Sequence, residues 1–92
     1  MKDKEIEKLW NYAKIKMRDE LSYISFSTWI SPLTFEVDDD GNLCVYGVPD
    51  YYLPYVSRMF LSRIYTHMED LYGASLPFQV YIRTSTSTNI LL

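Results

Sequence analysis

Phe26-Ser27-Thr28-Trp29-Ile30-Ser31-Pro32 and, after an alternating segment, Val48-Pro49-Asp50-Tyr51-Tyr52 are the stretches whose reading decides the fold. In the first, Phe26, Trp29 and Ile30 recur at helical spacing, Ser25 is a candidate N-cap, and Pro32 stops the helix. The second reads as a strand end, a turn and the start of a long helix, with Asp50 as candidate N-cap. Between them, Leu33 to Val37 alternates Leu, Phe and Val against Thr and Glu, as a half-buried strand does. Asp38-Asp39-Asp40-Gly41-Asn42 is a turn, and Leu43 to Val48 is the return strand of a hairpin. The phase of that strand is open on pattern alone, since either Leu43 and Val45 or Cys44 and Tyr46 could face inward. A bulge at Gly47 would leave Leu43 and Val45 inward.

Outward from this centre, Ile6, Leu9, Trp10, Ala13, Met17 and Leu21 recur every three or four residues and predict a first helix from about Lys4 to Leu21. Tyr12 and Ile15 fall off that stripe, so they are exposed or contact something else. On the other side, Leu53, Val56, Phe60, Ile64, Met68 and Leu71 form the inward stripe of a helix running from Asp50 to about Tyr72. Pro54 falls in its first turn and delays the regular helix, and Gly73 is the expected left-handed C-terminal cap. Phe78 to Arg83 alternates as a third strand. The Ser/Thr-rich stretch 84–92 has no apolar period and reads as a flexible tail or the start of a linker, leaving 1–83 as the domain. The order α-α-β-β-α-β predicts a two-layer α+β domain with helices laid on a three-stranded sheet.

Composition narrows the function classes. A net charge of −3 disfavours tight binding through nucleic-acid phosphates, which calls for a basic surface. Cys44 is the single cysteine and can form neither an internal disulfide nor a cysteine zinc cluster. His67 is the only histidine and reads as structural or exposed, Cys44 has no histidine near it in sequence, the three aspartates of the turn lack calcium-loop spacing, and no glycine-rich phosphate loop occurs. The reading is therefore not an enzyme, with no cofactor and no metal site. No apolar run is long enough to span a membrane and no signal peptide opens the chain, so a cytoplasmic protein is expected. Nine tyrosines in so short a chain cannot all be buried, and exposed Tyr is a favoured interface residue.

Leu9-Trp10, then Phe26-x-x-Trp29, then Pro49-Asp50-x-Tyr52, in this order and spacing, resemble the N-terminal domain of the bacterial replication initiator DnaA across roughly residues 5 to 83. The resemblance implies a K-homology-like fold and a protein-docking module in the initiation of chromosomal replication. It implies docking of the replicative helicase or of initiation regulators at Ser25, Thr28, Trp29, Asp50 and Tyr52. It also implies weak self-association into a homodimer through Leu9 and Trp10, whose competing role is core packing. Trp29 is likewise open between buried anchor and docking surface. Ser25 stands where some members carry a glutamate that contacts the helicase, which puts a charge-specific contact in doubt. Two alternatives remain. The chain is a stand-alone copy of the domain that modulates the initiator, or it is a weak single-stranded nucleic-acid binder. The Gly-x-x-Gly loop with which K-homology domains grip single strands is absent, so weak single-stranded DNA contact is the most expected of it.

Overall fold

A computed structural model of the chain describes residues 1–83; the expected tail or linker at 84–92 lies outside the described residues. The elements run α1 (Asp3–Glu20), α2 (Tyr23–Ser25) continuing as a π-helical turn (Phe26–Ile30), β1 (Thr34–Val37), β2 (Leu43–Tyr46), a 3-10 turn (Asp50–Tyr52), α3 (Leu53–Tyr72) and β3 (Val80–Ile82). This is the expected α+β order. The three strands form a mixed sheet, β1 antiparallel and β3 parallel to β2, with β2 central.

The two long helices follow their apolar stripes. Ile6, Leu9, Trp10, Ala13 and Met17 are buried on α1, and Val56, Phe60, Ile64 and Met68 on α3. They meet Leu43, Val45, Val48, Phe78 and Val80 in one core. Burying a side chain of this size contributes roughly 1.5–3 kcal/mol. Leu71 departs from expectation: α3 overruns the core by its last turn, and Leu71 is 39% exposed although it keeps the stripe's angle. His67 is buried instead, with Nε2 2.9 Å from Glu20 Oε1 at the end of α1.

Strand phase is settled by the register. Phe35 pairs with Val45 and Val37 with Leu43, so Leu43 and Val45 point into the core. Cys44 is also buried, on the opposite face. There the Arg83 side chain donates its Nε–H to Sγ at 2.7 Å, lies over the Tyr46 ring and pairs with Glu36. Gly47 is not a bulge within the ladder, which pairs residue for residue over 34–37 and 43–46. It sits just past the strand with φ +133°, and a Cβ there would lie 2.5 Å from the Pro32 carbonyl oxygen. Only glycine permits that approach. In the hairpin, Asp38 Oδ1 accepts the N–H groups of Asp40 and Asn42, both at 2.9 Å.

β3 is short, but it is fixed from both sides. Towards β2, Leu43 N–H donates to the Gln79 carbonyl and Arg83 N–H to the Val45 carbonyl. On the outer side, Val80 N–H donates to the Tyr65 hydroxyl at 2.7 Å, and that hydroxyl donates to the Val80 carbonyl at 3.3 Å.

Candidate docking surface

Two irregular turns build this surface. The Ser22 hydroxyl, not Ser25, caps the second helical segment: Ser22 Oγ accepts Ser25 N–H at 3.1 Å, and Ser25 is already helical. The segment then widens, and Ser31 N–H reaches back five residues to the Phe26 carbonyl at 2.8 Å. A π turn holds one residue more than an α turn. Ile30 can therefore drop fully into the core while Trp29, beside it, stays half-buried at the rim. Trp29 packs against the core and leaves part of its ring exposed.

The second turn comes from Pro54, whose missing N–H removes the α-helical bond to residue 50. The chain uses tighter bonds instead, Tyr52 N–H to the Pro49 carbonyl and Leu53 N–H to the Asp50 carbonyl. Asp50 is consequently inside a 3-10 turn and not the N-cap of α3, whose cap position is Tyr52.

These turns bring Trp29 and Tyr52 together, ring centroids 5.1 Å apart and edge to face. Tyr55 tilts against Trp29 at 5.0 Å, and Tyr51 lies 4.5 Å from Tyr52. The tyrosines remain available to a partner, at 77% exposure for Tyr51, 40% for Tyr52 and 37% for Tyr55. Thr28 adjoins Trp29 and is exposed, and Asp50 is exposed two residues before Tyr52. Ser25 is half-buried, and its backbone N–H donates to Ser22 rather than towards the ring cluster. Tyr51 and Tyr55 were missed in the sequence. The signal for Tyr55 was its three-residue spacing from Tyr52, one turn along the same helix.

Leu9 and Trp10 lie elsewhere. They are 5% and 2% exposed, and Lys14 Nζ stands 5.7 Å from the Trp10 ring centroid. Each side chain is spent inside the chain, so core packing is what the structure shows for both.

The titratable groups with displaced pKa values lie away from the ring cluster. Asp38 is held below the usual carboxylate range by the Asn42 N–H and then by the Tyr81 hydroxyl. Tyr81 is pushed up, chiefly by that same bond to Asp38. Burial lowers Lys14, whose ammonium donates to the Leu33 carbonyl at 3.1 Å. Among the described residues no group of three or more His, Cys, Asp or Glu could hold a metal ion, and no helix is long and apolar enough to cross a membrane.

The geometry defines a class: a small α+β domain that displays a cluster of aromatic rings across two of its elements. The family model of the DnaA N-terminal domain matches residues 7–70, and the chain belongs to that family. The chain is 31% identical over 78 residues to the chromosomal replication initiator protein DnaA of Laribacter hongkongensis, covering 85% of this chain and 16% of that protein. The DnaA proteins of Chromobacterium violaceum and Nitrosomonas europaea are 29% and 30% identical over 83 and 80 residues. Those matches cover 90% and 85% of this chain and 17% of each relative. The chain thus spans about a sixth of the length of these relatives.

Proposed function

We propose that the chain is a protein-docking module in the initiation of chromosomal DNA replication. The observation that carries this is the ring cluster of half-buried Trp29 with exposed Tyr51, Tyr52 and Tyr55, in a chain of the DnaA N-terminal family. Clustered Trp and Tyr at the edge of a core are the residue types that dominate binding energy at protein interfaces. Thr28 and Asp50 flank the rings and supply polar contacts at the rim, with Ser25 at its margin. The partner is the replicative helicase or a regulator of initiation, and the chain itself associates weakly with a second copy. With Ser25 in place of an acidic residue, docking rests on the rings more than on charge.

The test pairs a melt with a pull-down against the helicase and against an initiator. Tyr51→Ala, at a ring that is 77% exposed, should leave the fold intact and weaken capture by ~2 kcal/mol or more if the ring is a hot spot. Undiminished capture by both Tyr51→Ala and Tyr52→Ala would refute this docking surface. Submicromolar binding to a single-stranded oligonucleotide at physiological salt would instead support the nucleic-acid alternative.

A further inference from the structure

Most cations of α1 are matched within the helix. Lys4 has Glu7, Lys8 has Glu5, and Lys16 has Asp19 and Glu20, each three or four residues away and so on the same face. Lys14 and Arg18 differ: neither has an acidic residue at that spacing in either direction, and they stand four apart, like charge beside like. The chain that follows adds no countercharge, since residues 21–35 contain no charged side chain. Among the described residues Lys14 makes no ion pair. Its ammonium donates to the Leu33 carbonyl at 3.1 Å and the Ser31 carbonyl at 3.5 Å, which uses two of its three donors. Arg18 reaches its neighbour Asp19 at 4.0 Å, with the arginine side chain 62% exposed. Together with Asn11 and Ile15 on α1 and Phe26 at the start of the π turn, the two cations line a groove of ≈ 390 Å³. Ile15 is 47% exposed, Phe26 is half-buried, and Tyr23, one turn before Phe26, is 84% exposed.

We propose that this groove receives an acidic peptide segment of another protein, with one apolar side chain seated between Ile15 and Phe26 and carboxylates on Lys14 and Arg18. Charge complementarity selects this occupant. A carboxylate at Lys14 takes up the remaining ammonium donor and supplies the opposite charge that its half-buried position lacks. Arg18 offers a planar fork that holds a carboxylate through two parallel hydrogen bonds. The floor is aliphatic and aromatic carbon, so a peptide with an apolar residue between acids covers more of it than a bare anion does. A nucleic-acid strand fits less well. One turn before Asn11 on this stripe is Glu7, and Asp19 and Glu20 follow Arg18, so a longer run of phosphates would meet carboxylates at both ends. The groove shares no residue with the ring cluster, and the inference holds whether or not that cluster docks a partner.

The experiment titrates the 92-residue chain, followed by its backbone amide NMR signals, with a terminally blocked peptide of a leucine between two pairs of glutamates. The same peptide with lysine for glutamate, and an oligothymidylate of equal charge, are titrated beside it. The expected result is a saturable shift with the glutamate peptide, confined to the second half of α1 and residues 23–26, that fades as salt rises. Arg18→Glu should weaken that binding by about fivefold or more. Lys14→Gln should weaken it by a smaller factor. Lys16→Glu makes the same change in net charge on the opposite flank of α1, and should leave the binding unaltered. Arg18 carries the test because its side chain is exposed, whereas Lys14 also holds two backbone carbonyls. Equal weakening by Arg18→Glu and Lys16→Glu would overturn the proposal, since net charge and not the groove would then govern binding. So would the absence of a saturable shift with the glutamate peptide. Tighter binding of the oligothymidylate at these same residues would also overturn it and assign the groove to nucleic acid.

Discussion

The two tryptophans of this chain occupy opposite kinds of site. Trp10 sits on a regular α-helix, at an angle shared with Ile6, Ala13 and Met17, and is 2% exposed. Trp29 sits on a π turn, half-buried, and makes its ring contacts to tyrosines that are themselves exposed. Both belong to short motifs that resemble the same family, yet the resemblance alone did not distinguish anchor from surface. Local backbone did. A regular helix carries every residue of its stripe inward, whereas an inserted residue in a turn lets neighbouring side chains divide between core and solvent.

The largest test of this contrast is Trp10→Ala. Truncating a buried Trp should cost ~3–5 kcal/mol in denaturant unfolding, enough to remove much of the stability of a domain this size. A loss below about 1 kcal/mol would break the comparison by showing that Trp10 is not an anchor. Trp29→Ala should cost less, about 2 kcal/mol, because the ring is half-buried and loses two aromatic pairs each worth roughly 0.5–1.5 kcal/mol. Equal losses at the two positions would mean that the surface cluster is as much core as Trp10 is. Tyr52→Ala comes next, at about 1 kcal/mol. That ring is 40% exposed yet pairs with both Trp29 and Tyr51, so truncating it removes two ring contacts.

The smallest effect concerns the hairpin tip, far from either tryptophan. Asp38 has a carboxyl held below its ordinary value by the Asn42 N–H and the Tyr81 hydroxyl. A carboxyl lowered in the folded state contributes stability above the unfolded value of about 3.9, and that contribution is lost as pH falls through the lowered folded value. Melting temperature followed below pH 4 should therefore fall less steeply for Asp38→Asn than for wild type. Identical acid limbs would show that the exposed tip contributes nothing to the fold's stability.

The fold was legible in the sequence wherever one period ran long enough. The stripes of α1 and α3, the alternation of the strands and the left-handed Gly73 cap, at φ +87°, all stood in the pattern. The caps were not. Ser22 and Ser25 are equally good capping residues, and the backbone selects Ser22, which is extended where Ser25 is already helical. Asp50 offered a capping side chain, but Pro54 imposed a tighter turn ahead of α3. Leu71 kept the period and lost the burial, since periodicity fixes an angle but not how far the core extends along the axis. Of the candidate docking surface, the pairing of Trp29 with Tyr52 followed from the family likeness. The contributions of Tyr51 and Tyr55 required the geometry of the two turns.

The Tyr65 hydroxyl on Val80 has a consequence for how the domain behaves in a crowd. An outer sheet strand with bare amides is a template on which another chain can add a strand, and growth from such edges is a route to fibres and aggregates. Tyr65 occupies both backbone groups of Val80 at once, as acceptor and as donor, so an incoming strand would have to displace a hydroxyl that already satisfies them. Copies of the domain held close together can therefore meet through side chains, with that stretch of the sheet closed to growth.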